Sequence, residues 1–208
     1  MGRNRWQAVS LWTGGVFGVI TQLLFLASHG PTESDEGDVI IGLTQHDFER
    51  WSLLVLLLVM WGLIGLHRYQ SSTYGRRGLI GFRLTITGYG LLLFGIVWDF
   101  VLFDPFEHAL HGVGFFASLL GLLIVMVGWI VWGTASYKAR SLPSWALPVP
   151  FLIPAGWVAG LVFDDLLYEA ISINDGVAIQ VVSAIGALIL GLVLWQADDT
   201  NTVKQDHA

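Results

Sequence analysis

Over 208 residues the chain carries 10 Lys and Arg against 16 Asp and Glu, a net charge of −6, and only 12% of its positions are charged. A soluble domain usually has about a quarter of its residues charged; with 54% apolar residues and a mean hydropathy of +0.66, the missing charge points to lipid as the solvent. The absence of Cys excludes disulfides, thiolate catalysis, Cys-ligated zinc and iron–sulfur clusters.

Six apolar segments follow one another along the chain, predicting spans at about 6–27, 50–67, 79–103, 112–136, 146–168 and 176–196. The first is free of charge from Trp6 to Ala27, and its length of about 20 residues exceeds the 7–15 of a cleavable signal core, so it reads as a retained span. The second is bracketed by Arg50 and by His67–Arg68, and the third holds Arg83 near one end and Asp99 near the other. The fourth is uncharged from Gly112 to Tyr137, the fifth is entered through Pro143, Pro148, Pro150 and Pro154, and the sixth ends at Trp195. With a turn of flanking residues each can cross a hydrocarbon core of roughly 30 Å at about 1.5 Å per residue. None shows the alternation of a barrel strand, so the predicted fold is all-α, a polytopic six-helix membrane bundle in one domain. Residues 28–49 form an acidic outer loop and 197–208 a tail.

Charge placement sets an expected orientation. Arg3, Arg5, Arg68, Arg76, Arg77, Arg83, Lys138, Arg140 and Lys204 fall on one side and Arg50 alone on the other, whereas thirteen of the sixteen acids take the side of Arg50. Cytoplasmic loops hold the Lys and Arg excess, which predicts a multi-pass cell-membrane protein with both termini in the cytoplasm.

An internal repeat runs through these segments. Leu53–Leu66 and Leu119–Trp132 agree at eight of fourteen positions at an offset of 66, and Gly95–Phe103 matches Gly160–Tyr168 at an offset of 65, including Asp99 against Asp164. A fainter copy around Gly18 and Gln22 lies in the first span. Duplicated helical hairpins, spans two–three and four–five, are the expected architecture, related by an axis along the membrane normal.

Helix starts are marked at Thr44–Asp47, Asp104–Glu107 and Ser172–Asp175, where capping residues precede acids that suit the positive end of the helix dipole. Gly14 and Gly18 make a GxxxG step, and Gly88, Gly90, Gly95, Gly121, Gly128, Gly186 and Gly191 also lie within spans, where small residues let helices approach closely. Trp6, Trp132, Trp145 and Trp195 near the inner boundary, with Trp51 and Trp98 near the outer one, read as an aromatic belt rather than a ligand box.

Two groups of residues carry candidate chemistry. Gln22, Asp99 and Asp164 are the repeat-related polar positions and could converge on an axis as a cation or proton site. The plainer expectation puts both Asp side chains at the outer interface, reaching water. His46, His108 and His111 fall on the outer side and form a candidate divalent-metal set, His108 and His111 sharing a helix face. Solvated histidines are the expected state of that group, and no cofactor is predicted. No Walker loop, nucleophile elbow, HEXXH box or nucleic-acid patch is present. The expected function is therefore a non-enzymatic small transporter, channel-like or accessory/assembly protein. Its partners would be the bilayer and a membrane-protein partner or second copy. The alternative is a membrane enzyme with an outward-facing metal or carboxylate/His site.

Overall fold

The computed structural model describes residues 3–28, 45–98, 111–158 and 175–205, with side-chain surroundings for 5–24, 51–98, 112–158 and 181–197. The fold is all-helical, and no strand occurs among the described residues. In chain order the elements are α1 (Arg3–Ser28), α2 (Gln45–Gln70), α3 (Gly75–Ile96), α4 (His111–Ala139), a 3-10 turn (Ser144–Ala146), α5 (149–158) and α6 (Asp175–Gln205).

Within α1, α2, α3 and α4 lie stretches long and apolar enough to cross a membrane: Arg5–Leu24, Trp51–Gln70, Gly75–Ile96 and Gly112–Ala139. Two shorter apolar helical stretches are Ser144–Val158 and Val181–Ala197. The helices run past the apolar segments by about a turn at most described ends. Hydropathy reports the solvent, whereas the helix continues until its backbone bonds are interrupted. The capping residues expected at Thr44, Asp104 and Ser172 fall outside the described residues.

Small residues decide how the helices meet. α3 carries Gly81, Gly88 and Gly95 seven residues apart, and α4 carries Gly114, Gly121 and Gly128 at the same interval. The two helices pack antiparallel along this register. Gly81 lies against Trp132, Thr85 against Gly128, Gly88 against Gly121 and Val125, and Gly95 against Gly114 and Ser118. A Cβ at Gly88 would fall 2.6 Å from the Gly121 carbonyl oxygen, so backbone touches backbone. A seven-residue period keeps one seam facing the partner over the whole length.

α1 packs antiparallel against both α2 and α6. Gly14 and Gly18 sit on α2 at Leu58, Val59 and Val55, and Ser10 donates a hydrogen bond to the Leu58 carbonyl at 2.8 Å. Gly15 and Gly18 meet Ala184 and Leu188 of α6, and Gly191 returns against Trp12 and Ala8. α5 wedges between α4, through Pro150 and Phe151 on Gly133, and α6, through Ile153 on Gly186. The GxxxG expectation therefore holds at both glycines, but Gly90 meets nothing within 4 Å.

The described core gathers at the end of the bundle where α1 begins and α2 ends. Ala8, Leu11, Leu63, Leu66, Val125, Trp129, Trp132, Val149, Ile153, Leu190 and Leu194 form part of one buried cluster there. Trp132 is 1% exposed and Trp129 the same, their rings stacked at 5.2 Å. This corrects the reading of Trp132 as a belt residue: its face of α4 is turned to α3, so its ring fills the core. Trp6 and Trp145 are exposed, as a belt requires.

Candidate functional site

Three of the six buried polar side chains among the described residues, Gln7, Gln70 and Ser136, lie at the same basic end. Gln7 of α1 is fully buried, its side chain lying over Gly65 of α2, where a Cβ would come within 2.8 Å of Oε1. Gln70 ends α2 and Ser136 stands one turn beyond Trp132 on α4; each is 1% exposed, and Ser136 Oγ donates to Gln70 Oε1 at 3.3 Å. That bond joins two connections far apart in sequence. The Gln70 carbonyl also takes the Thr73 hydroxyl and the Thr73 backbone N–H, at 2.8 and 2.9 Å, which closes the turn after α2.

An aromatic stack lies beside this turn. The His67 ring stacks on Phe82 of α3, centroids 4.0 Å apart and planes 6° from parallel, and Phe82 meets Trp132 edge-on at 5.4 Å. The Tyr74 ring folds over Gly78, which leaves room for it, and its hydroxyl hydrogen-bonds His67 Nδ1. Burial raises the Tyr74 phenol above its ordinary range, so it keeps its proton. This pair pins α2 to α3.

Among the described residues, Nε2 and Oε1 of Gln7, Nε2 of Gln70 and Nε1 of Trp132 are buried here with no hydrogen-bond partner. Each orphaned group costs on the order of 1–3 kcal/mol unless bridged. Above the polar layer, Leu66 and Trp132, then Leu63 and Trp129, with Leu190 and Leu194 from α6, belong to a fully buried apolar core. The polar atoms thus form a lid at one end of an apolar plug.

The residues singled out from sequence fare differently. Gln22 lies on α1, half-buried and with an interaction of its own. Asp99, Asp164 and His108 lie outside the described residues. His46 and His111 fall within α2 and α4, but their side chains are outside the described surroundings. No group of three metal-ligating side chains occurs among the described residues. Gln7, Gln70 and Ser136 escaped the sequence reading because single polar residues at span ends look like solvated flanks. A signal existed for two of them, since Gln70 and Ser136 are separated by the 66-residue offset of the repeat. Comparison of the chain with protein families, with curated proteins and with solved structures gives no match, so any function has to be argued from these residues.

Proposed function

We propose that the chain is a six-span cell-membrane protein with both termini in the cytoplasm, built from duplicated hairpins, and that it serves as a non-enzymatic accessory or assembly protein. In this role it engages a membrane-protein partner or a second copy within the bilayer. The observation that carries this reading is the apolar plug. A transporter or channel needs polar groups near mid-membrane with paths to both faces, whereas here Leu63, Leu66, Trp129, Trp132, Leu190 and Leu194 are in one cluster, each no more than 1% exposed. The hydrogen bond between Gln70 and Ser136 supports the duplication, because residues related by a rotation touch each other only beside its axis. On this reading Asp99, Asp164 and Gln22 tie helices together or reach water at the outer end.

The test is functional and hydrodynamic. Proteoliposomes loaded with a pH- or potassium-sensitive dye should leak no faster than empty vesicles under an imposed gradient. Native electrophoresis of a mild-detergent extract should show the chain above its own mass. Flux that Asp99→Asn abolishes, or migration as a single chain in the mildest extract, would overturn the assignment.

A further inference from the structure

α4 ends in a way that its sequence does not favour. The Arg140 N–H bonds the Tyr137 carbonyl at 3.2 Å and the Ser141 N–H bonds the Ser136 carbonyl at 3.1 Å, the paired closure of a Schellman motif. The residue at its centre needs a left-handed backbone, and Arg140 supplies it at φ 47, the one non-glycine residue with positive φ among the described residues. Glycine is the usual occupant. A long cationic side chain held in a strained conformation is an outlier that asks for a use.

Arg140 borders an open cleft of about 530 Å³, lined with it by Tyr137, Leu142, Ser144 and Leu147. The lining residues combine an arginine and two hydroxyl-bearing side chains with two leucines. No described residue forms a hydrogen bond or ion pair with the guanidinium. Lys138 adds a second cation nearby, and Trp145 beside the cleft is half-exposed.

The depth of the cleft follows from α4. Phe116, Leu123, Ile130 and Tyr137 are all exposed and recur every seven residues, a continuous apolar stripe down one face. From Phe116 to Tyr137 that stripe spans about 31 Å of helix, the thickness of a hydrocarbon core. Its lower end delivers a lipid-facing surface to the mouth of the cleft. Arg140, Lys138 and the exposed aromatics Tyr137 and Trp145 then stand at headgroup level, where cations meet phosphate and aromatic rings anchor.

We propose that this cleft binds the phosphate of an anionic phospholipid, Arg140 gripping the phosphodiester with Tyr137 and Ser144 as hydroxyl partners, while the acyl chains follow the α4 stripe. The inference rests on the membrane-spanning reading and is independent of the accessory role. A guanidinium grips two phosphate oxygens at once, which a point charge does not.

The experiment uses the full chain in neutral detergent, with phosphatidylglycerol, phosphatidylcholine and soluble glycerol phosphate as separate additions. Native mass spectrometry reads the bound adduct and thermal unfolding reads stabilisation. Phosphatidylglycerol should be retained near one per chain and phosphatidylcholine not. Arg140→Ala should weaken retention about tenfold, and Arg140→Lys less. Arg77→Ala removes an equal charge from the first turn of α3, at a residue that does not line the cleft, and should change retention less than twofold. Arg140→Gly keeps the variant interpretable: relieved of the left-handed penalty, it should unfold no earlier than the parent chain and still lose the lipid. Equal retention of the two lipids, full retention by Arg140→Gly, or equal losses in Arg77→Ala and Arg140→Ala would overturn the site. Displacement of the lipid by glycerol phosphate at equal concentration would show that a soluble phosphate is the ligand and overturn the lipid assignment. Retention in the membrane pellet after alkaline carbonate extraction, run alongside, tests the spanning reading by itself.

Discussion

Gly88 and Gly90 stand two residues apart on α3 and predict opposite outcomes for one substitution. A methyl group at Gly88 would lie 2.6 Å from the Gly121 carbonyl oxygen, 2.6 Å from the Val125 nitrogen and 2.7 Å from Val125 Cγ2. Two of those three atoms are backbone, so no side-chain rotation makes room. Ordinary carbon contacts fall near 3.5–4.0 Å, so α3 and α4 must part locally by about 1 Å. Overpacking of this kind costs roughly 1–3 kcal/mol, and lipid offers no hydrophobic drive to offset it. At Gly90 nothing lies within 4 Å, and alanine is the better helix former by roughly 0.8–1.0 kcal/mol. Both variants gain the same propensity, so Gly90→Ala should be neutral or stabilised and Gly88→Ala should fall below it by the overpacking cost alone, roughly 1–3 kcal/mol. Unfolding by sodium dodecyl sulfate titration in mixed micelles, followed by tryptophan fluorescence, measures the difference. If the two variants unfold together, the glycine register does not hold α3 to α4.

Two further outcomes follow from the basic end. Because burial raises the Tyr74 phenol above the unfolded value near 10, its neutral form is favoured in the folded chain. Its contribution is complete below about pH 10 and lost as pH rises beyond it; Tyr74→Phe should flatten the fall of melting temperature above pH 10, and an unchanged slope would refute that. Single cysteines placed at 36, 107 or 172 should label in intact cells with an impermeant thiol reagent, and those at 74 or 140 only after permeabilisation; labelling at 74 from outside would reverse the proposed orientation.

The helices were legible in the sequence because solvent preference is written locally, in runs such as Trp51–Leu66 and Gly112–Tyr137. How they pair was not. Among 25 glycines the seven-residue register of Gly81, Gly88 and Gly95 is hidden by neighbours such as Gly78 and Gly90, and only the opposing series on α4 gives it meaning. The duplicated-hairpin pattern directs attention to α2 with α3 and α4 with α5, whereas the glycine seam joins α3 to α4, across the repeat boundary. Trp132 looked like an interfacial anchor because depth was read from position along the span; which side of the helix it occupies depends on the partner. Arg140 was unreadable for a different reason. The helix-ending signal is the glycine that this chain does not place there.

The α3–α4 seam also limits how the molecule can move. Each glycine faces backbone and is flanked along its helix by bulky side chains such as Phe82, Leu92 and Trp129. A slip of one helical turn would drive those side chains into the opposing backbone. The next fitting alignment is seven residues away, about 10.5 Å of travel. The two helices therefore cannot creep past each other in small shear steps, and they act as one stiff strut. Working motions fall instead to the joints that fasten this strut to α2, the stack of His67 on Phe82 and the hydrogen bond from Ser136 to Gln70. A partner that twisted α1, α2 and α6 against the strut would load those two contacts first.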